Sequence, residues 1–406
     1  MATYRKRGNS WEYTVSAGKD PVSGEYIRIP KGGFKTKTEA RHAAEKIEEE
    51  IRSGTYIKES KMTFNELFNK WLSQYEKRAK ISSVRARKIA AKKLLDEWEH
   101  YPISKITMTM YHEHLDELSA RFSYNYLDSI HTTGRMIFKL AMMQNLIKSN
   151  PTEHYEKPRV KNDVIKEEVN EVDNFLDRGE LAEFLTLAKN EGMAHDLLIF
   201  STLAYSGLRL GELLALKESD IDFKTNEISV TKTYYNPTNK KSSVTLLTPK
   251  TKGSYRKFNI DPFVIQLIKE RVKEQKEEKM KHRMIYKDEG FIFADAQGYP
   301  FTMKFVAIRL QRLMKIMKRM NEGKDKDKDK DKNKNKKKHI TPHSFRHTNI
   351  SLLIEANVPI GEIQRRVGHT DIQTTMNIYA HMTKETKDQA SLLFSDHLSD
   401  LTRVLR

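Results

Sequence analysis

Cysteine is absent from the 406-residue chain, which excludes disulfides, thiolate metal sites and cysteine nucleophiles. Long apolar runs are absent too, because the longest, about residues 197–208, is well short of the ~18 residues that cross a bilayer. The basic N-terminal residues are not followed by an apolar segment, so no secretory signal is predicted. We therefore expect a cytoplasmic protein with no membrane partner, whose chemistry uses oxygen, nitrogen and carboxylate groups.

Acidic residues are fewer than basic ones. The chain has 73 Lys and Arg residues against 55 Asp and Glu residues, a formal net charge of +18. Such an excess favours polyanionic partners, since Lys and Arg side chains that neutralise phosphates release condensed counterions. A nucleic acid, a ribosome or a membrane surface would satisfy the charge equally well. Hydrophobic residues still make up 38% of the chain, which excludes wholesale disorder and, at this length, indicates two or three domains.

Residues 1–57 are predicted to form a small sheet followed by one helix. Residues 11–15 and 25–29 alternate like half-buried strands, and Thr36 and Glu39 have the spacing of a capping box at a helix start. The strand side of this unit carries eight basic residues against three acidic ones. This excess favours a β-ribbon that binds nucleic acid over a soluble β-ribbon with no binding role. The candidate DNA contacts are Arg5, Lys6, Arg7, Arg28 and Lys35.

Residues 62–158 are predicted to be all helical. The helices are expected at Phe64–Lys77, Arg85–Trp98, Thr107–Ala120 and Ser123–Ile147. Between positions 77 and 93, eight basic residues occur without a single acid. One sign of charge without interspersed carboxylates favours a phosphate-contact surface over a solvated face. The residues concerned are Lys77, Arg78, Lys80, Arg85, Arg87, Lys88, Lys92 and Lys93.

Residues 173–406 are predicted to combine helices with a small antiparallel sheet. Lys324–Lys338 alternates Lys with Asp or Asn and has no apolar residue, so we expect a solvated surface loop there. The chain as a whole is thus predicted to be multidomain α+β. Helices are expected at about Arg178–Asn190, Ala194–Leu203, Pro262–Lys281 and Met303–Met320, and strands at Glu227–Tyr235, Ser243–Leu247 and Tyr255–Ile260.

Two segments of this third domain place a basic residue beside a turn. In Tyr205–Leu214 a glycine loop leads into a helix start, where Arg209 can reach outward and Glu212 is placed to hold it. An Arg–Glu pair at this spacing is also a common structural feature of helices. In Thr248–Arg256, Lys250 lies at the predicted tip of a hairpin, where a lysine is by default a solvated turn residue. Neither segment identifies a site alone.

A histidine-rich segment follows at Ile340–His347. Thr341 suits a helix N-cap and Pro342 the first helical position, which would place His343 and Arg346 one turn apart at the positive end of a helix. Such an end binds anions. The spacing of His339, His343 and His347 also allows a metal site, but no His-Glu-x-x-His motif or nearby carboxylate supports that alternative, and the adjacent lysines oppose it.

The last segment, Val367–His381, combines a Gly-His turn, a short helix and a tyrosine ten residues after the histidine. His369 follows the glycine directly. Tyr379, taken alone, would be interpreted as a core residue. Together with the basic residues upstream it becomes a candidate nucleophile.

The order Arg, Lys, His-x-x-Arg, Gly-His, Tyr over residues 205–381 resembles the tyrosine recombinase, or phage integrase, family, and most of all the integrases of phages and conjugative transposons of Gram-positive bacteria. The lysine-rich run upstream of the His-x-x-Arg segment departs from the short connection usual in that family. The resemblance implies that Tyr379 is the nucleophile. It implies that the residues around the scissile phosphate are Arg209, Lys250, His343, Arg346 and His369.

The resemblance also implies an architecture and a function. The expected domains are an N-terminal arm-type DNA-binding domain with a three-stranded sheet and a helix (1–57), an all-helical core-binding domain (62–158) and a mainly helical catalytic domain (173–406). The implied function is a bacterial, nucleoid-associated site-specific recombinase that integrates and excises a mobile element, in the case of a phage the viral genome. The implied partners are double-stranded DNA attachment sites of core and arm type, further copies of the chain in a tetramer, and an excisionase or a host DNA-bending protein.

The residue types themselves fit in-line attack on a phosphodiester. Two guanidinium groups and a helix N-terminus can stabilise the negative charge that develops on the non-bridging oxygens. A phenol, with an ordinary pKa of ~10, needs a base, for which His369 or His343 is available, and Lys250 is a candidate acid for the departing 5′ oxygen. Because a phosphotyrosyl bond conserves the energy of the broken linkage, we expect no ATP, metal or other cofactor.

Three alternative functions fit parts of this pattern. A Xer-type chromosome or plasmid resolvase would use the same site but lacks the basic N-terminal unit. A type IB topoisomerase would use it to relax DNA by strand rotation without exchange. A DNA-binding regulator without enzymatic activity would leave the ordered basic residues and the tyrosine unexplained.

Overall fold

The chain divides into two compact units, Met1–Asn162 and Asp163–Arg406. Within the described ranges, no helix is both long and apolar enough to cross a membrane. The computed structural model describes residues 2–19, 24–57, 60–158, 174–249, 252–324 and 338–369, and positions 372, 373, 375, 376 and 378.

The first unit begins with an antiparallel sheet of strands β1 (Thr3–Arg7), β2 (Ser10–Lys19) and β3 (Tyr26–Phe34), in that order. Helix α1 (Lys37–Arg52) packs on one face, where Tyr13 and Val15 of β2 and Ala40 and Ala44 of α1 form a small buried core. The Thr36 side chain accepts a hydrogen bond from the backbone N–H of Glu39 and so caps α1, as the spacing predicted. The predicted three-stranded sheet plus helix is confirmed.

Four helices follow in the same unit: α2 (Phe64–Glu76), α3 (Ile81–Trp98), α4 (Met108–Ser119) and α5 (Tyr124–Met143). They enclose a second core, rich in aromatic side chains, that shares no residue with the first. Two predicted bounds were wrong. Helix α3 begins four residues earlier than expected, and α5 ends at Met143 because Asn145 adopts a left-handed backbone conformation (φ +52°) that stops a helix.

The second unit opens with helices α6 (Arg178–Asn190), α7 (Asp196–Ser206) and the single turn α8 (Leu210–Leu213). Strands β4 (Ile221–Asp222), β5 (Glu227–Val230) and β8 (Arg256–Asn259) form a small antiparallel sheet. Strands β6 (Thr233–Tyr235) and β7 (Thr245–Leu247) form a separate hairpin, so the one strand predicted at 227–235 is in fact two.

Helices α9 (Pro262–Lys281), α10 (Met303–Lys324), α11 (Ser344–Glu355) and α12 (Ile360–Val367) follow in this unit. Its core contains the mutually packed rings of Phe184, Phe200 and Phe345. Helix α12 was not predicted, because it is short and buries only Ile363 and Val367. The loop predicted at 324–338 lies outside the described residues except at its two ends.

Candidate active site

Arg209 is positioned by a glycine turn and by Glu212. Helix α7 ends at Gly207, whose left-handed backbone (φ +63°) and lack of a side chain are both needed, because a Cβ atom would lie 2.7 Å from Asn349 Oδ1. Arg209 then caps α8, and Glu212 accepts two hydrogen bonds from it, from the backbone N–H and from Nη1, each 3.0 Å long. The predicted Arg209–Glu212 contact is present. The Arg209 side chain stays 40% exposed.

Arg346, on α11, is only 1% exposed, and its guanidinium joins two distant loops. It donates from Nη1 to the carbonyl oxygen of Gly207 (2.8 Å) and from Nη2 to that of Val367 (2.6 Å). Its Nε donates to Nε2 of His369 at 3.3 Å. Among the described residues, these contacts use three of the five guanidinium N–H groups of Arg346.

His369 follows the left-handed residue Gly368 (φ +70°), which ends α12. Because its Nε2 accepts from Arg346, its Nδ1 carries the proton and donates to the hydroxyl oxygen of Thr375 at 2.9 Å. Burial, followed by the charges of Arg346 and Arg209, lowers the pKa of His369 to about 3. The imidazole is therefore neutral at pH 7.

His343 is the N-cap residue of α11, so the helix begins two residues later than the predicted start at Pro342. Its ring packs edge-to-face on His347, with ring centroids 5.1 Å apart. Although part of His343 is exposed, crowding by protein atoms, with His347, Arg346 and Arg209 nearby, lowers the pKa of its ring to about 4. Like His369, it is neutral at pH 7. Among the described residues, no group of three or more His, Asp or Glu side chains is arranged to hold a metal.

The segments that carry Arg209, Arg346 and His369 have more positive than negative charge. Burial, followed by the charge of Arg209, lowers the pKa of Arg346 to about 9, so its guanidinium remains protonated at pH 7. Burial acts to raise the pKa of Glu212, but hydrogen bonds and charges from Arg256 and Arg209 outweigh it, and the net shift is downward. Within the described part of the site, the guanidinium groups of Arg209, Arg256 and Arg346 outnumber the Glu212 carboxylate, and the local field favours an anion.

Not every candidate can be located. Lys250 and Tyr379 lie outside the described residues. Ile378, the residue before Tyr379, is buried in a cluster with Ile350, Ile363 and Val367. Arg256, whose guanidinium binds Glu212, was missed as a site residue, since its only signal in the sequence is that it closes the Thr248–Arg256 segment.

The basic stretch at positions 77–93 lies on the turn before α3 and along that helix. Some of its charges are engaged within the protein: Arg87 donates to Ser129 O and Thr133 Oγ1, both at 3.2 Å, and so ties α3 to α5. Two of its lysines form ion pairs with acidic residues just outside the stretch. Lys88 lies 2.7 Å from Glu76, and Lys93 lies 3.1 Å from Asp96. The exposed members are Lys77, Arg78, Arg85, Lys88 and Lys92, and the half-buried ones are Lys80, Arg87 and Lys93.

The basic residues of the N-terminal sheet are all exposed. In the strand register, Arg5 of β1 lies opposite Glu12 of β2, and Arg28 of β3 lies opposite Ser16 of β2. Since Glu12 and Ser16 adjoin the buried residues of β2, these arginines share the face opposite α1. The exposed set is Arg5, Lys6, Arg7, Arg28 and Lys35, of which Arg7 forms an ion pair with Glu12 at 3.1 Å.

Comparison with known proteins assigns the family. Residues 174–386, more than half of the chain, match the phage integrase family; residues 3–51 match an arm DNA-binding domain and residues 63–119 a phage integrase N-terminal SAM-like domain. The ICEBs1 integrase of Bacillus subtilis is 28% identical over 409 residues, which cover 99% of this chain and 100% of that protein. An integrase of a Staphylococcus phage is 28% identical over 364 residues, 84% of this chain and 95% of that protein.

A solved structure of the Tn1549 transposon integrase in complex with transposon right end DNA has the same fold. Its TM-score is 0.61 at 22% sequence identity, and the match covers 83% of this chain and 100% of that one. The predicted fold class, with a mainly helical last unit, is confirmed. The chain belongs to the phage integrase family and is a tyrosine-type site-specific DNA recombinase.

Proposed function

We propose that this recombinase integrates and excises a mobile element by cutting and rejoining DNA through a 3′-phosphotyrosyl intermediate. The Tyr379 oxygen attacks the scissile phosphorus, the bond to the 5′ oxygen breaks, and a 5′ hydroxyl leaves with a proton. A 5′ hydroxyl from the partner duplex then reverses the step. The observation that carries this proposal is the contact of Arg346 with His369 and with Gly207 O, which unites residues from three distant segments beside Arg209.

Each proposed role follows from a contact or a charge state. Arg209 and Arg346 stabilise the charge on the non-bridging oxygens, Arg209 from an exposed position and Arg346 from a fixed one. His369 or His343 would accept the phenolic proton, since both rings are neutral at pH 7. His369 can do so only after its Nε2 lone pair gives up the hydrogen bond from Arg346. Lys250 donates the proton that the 5′ oxygen takes.

We propose the same three domains as the sequence indicated, 1–57, 62–158 and 173–406. The exposed basic residues of the stretch at 77–93 would contact core-site phosphates, and those of the N-terminal sheet would grip arm sites. Four copies would assemble on two duplexes, with an excisionase or a host DNA-bending protein setting the direction. The matches to an arm DNA-binding domain and to the ICEBs1 integrase support this proposal over a Xer-type resolvase.

The chemistry is tested with Tyr379→Phe, which should bind a core-site duplex taken from the DNA flanking the gene but form no covalent adduct with it. The measurement is incubation with a nicked suicide duplex followed by a denaturing gel. Tyr205→Phe, at an exposed tyrosine of the same unit, is the matched control and should form the adduct. A persistent adduct in Tyr379→Phe would remove the nucleophile assignment.

The arm role is tested by deleting residues 1–57, whose core is separate from that of the helices after it. Cleavage of the core-site duplex should persist, while recombination between two attachment sites should fail, because the arm raises the effective concentration of the second duplex. Full recombination by the truncated protein would instead favour a resolvase. Loss of both activities would show that residues 1–57 support folding or core-site binding.

A further inference from the structure

Arg256, at the start of β8, is a buried arginine that has no part in the proposed chemistry. Its side chain is 3% exposed, and it forms a two-pronged ion pair with Glu212: Nη2 to Oε2 at 2.8 Å and Nη1 to Oε1 at 3.3 Å. Its Nε donates to the carbonyl oxygen of Arg366 at 2.7 Å, and Nη1 also donates to that of Ser254 at 3.2 Å. All three guanidinium nitrogens are thus engaged.

The partners of Arg256 lie in the segments that hold the residues of the candidate active site. Glu212 is the carboxylate that holds Arg209. Arg366 precedes Val367, whose carbonyl oxygen accepts from Arg346, and two residues later the chain reaches His369. One guanidinium therefore contacts the support of Arg209 on one side and the turn that carries His369 on the other.

The same turn packs directly on Arg256. A Cβ atom added at Gly368 would lie 3.1 Å from Arg256 Nη1 and 3.1 Å from the carbonyl oxygen of Gly253. Gly253 and Ser254 lie in the connection between β7 and β8, the connection whose sequence contains Lys250. The Arg256 side chain is therefore the point at which three site-bearing segments meet: the α8 start, the Gly368 turn and the β7–β8 connection.

We propose that Arg256 is a positioning residue that sets the relative placement of Arg209 and His369 around the phosphate. The inference rests on the proposed function of that site. A lysine could balance the charge of Glu212, but an ammonium cannot reproduce the planar fork that binds two carboxylate oxygens and the Arg366 carbonyl together. The geometry of the fork, rather than its charge, is the property that the site needs.

The test compares Arg256→Lys with Arg271→Lys. Arg271 is an equally buried arginine of the same unit, 2% exposed and bound to Glu278 and Ala294 O, outside the site. Single-turnover cleavage of the suicide duplex at saturating DNA is measured per folded molecule, together with DNA affinity and thermal stability. Arg256→Lys should slow cleavage by about 10²-fold at unchanged DNA affinity, the scale of a 1 Å misplacement, whereas Arg271→Lys should lower stability alone.

A double-mutant cycle separates positioning from a general loss of structure. If Arg256 acts through Arg209, then Arg209→Lys should cost much less in the Arg256→Lys background than in the wild type. Additive effects, or a cleavage rate in Arg256→Lys equal to that in Arg271→Lys, would overturn the proposal.

The folding of the variants and the wild-type adduct are also decisive. If Arg256→Lys does not fold, Glu212→Gln replaces it, since it keeps the side-chain size and weakens both guanidinium contacts; it should show the same slow cleavage. Failure of both variants to fold would assign Arg256 a purely structural role and overturn the proposal. Absence of a covalent adduct in the wild type would contradict the proposed function itself, whereas a wild-type adduct with normal cleavage in Arg256→Lys would contradict this inference alone.

Discussion

The basic side chains of the candidate active site and those of α3 differ in what holds them. Arg346 is buried, with its guanidinium bonded to two carbonyl oxygens and a histidine, and Arg209 is held by Glu212. Lys92, by contrast, is exposed on α3.

The difference predicts two kinds of effect. Charges fixed before the reaction act on the transition state without reorganising, so changes at the site should appear in the cleavage rate. Exposed charges act through phosphate neutralisation, so changes on α3 should appear in affinity and in its dependence on salt. The following measurements would break or sharpen that distinction.

Of these three measurements, the largest rate effect is expected at Lys250. If it protonates the leaving 5′ oxygen, Lys250→Ala should slow cleavage by ~10²–10⁴-fold with DNA affinity retained. A substrate with a 5′-bridging phosphorothiolate should restore most of the rate, because sulfur leaves without a proton. Lys252→Ala is the matched control and should be mild; the reverse pattern would move the role to Lys252.

A smaller effect, on affinity, is expected when Arg85, Lys88 and Lys92 are all replaced by alanine. Binding should weaken, and the slope of log affinity against log salt should flatten by about 2.7, or ~0.9 for each lost phosphate contact. Cleavage at saturating DNA should stay normal. The control is alanine at three exposed lysines on α9, where glutamates intersperse the charges: Lys269, Lys273 and Lys276. A triple variant of α3 with normal affinity would place the DNA elsewhere.

The smallest effect is expected on the protonation of the His369 ring. In the DNA-free protein the His369 imidazole, with its pKa lowered to about 3 by burial and then by Arg346, should remain neutral as the pH falls from 7 to about 5, where an ordinary histidine becomes charged. Binding of a phosphodiester should raise that pKa, since a nearby negative charge favours the protonated form. Histidine NMR titration with and without core-site duplex measures both. A midpoint near the ordinary 6.5 in the free protein would contradict the buried geometry.

Local signals in the sequence predicted much of the fold and part of the site. Helices Arg178–Asn190 and Pro262–Lys281 were predicted with their observed bounds, and in the structure the Asp177 and Asp261 side chains cap their starts. The Arg209–Glu212 contact was predictable because the two residues are one helical turn apart.

Long-range contacts were not predictable in this way. The Arg256–Glu212 pair joins residues 44 positions apart, and no local spacing indicates it. Arg87 and Arg85 look equivalent in the sequence, yet Arg87 turns toward α5 and bonds Ser129 and Thr133. Tertiary packing therefore decides which basic side chains bond within the protein and which stay exposed to solvent.

The central claim is that Tyr379 acts on a phosphate held by Arg209 and Arg346. The most direct measurement is mass spectrometry of the proteolysed covalent complex formed with a suicide duplex. The account predicts a single nucleotide-modified peptide containing Tyr379, formed by the wild type and greatly reduced in Arg346→Ala. An adduct on any other residue, or an adduct yield unaffected by Arg346→Ala, would contradict it.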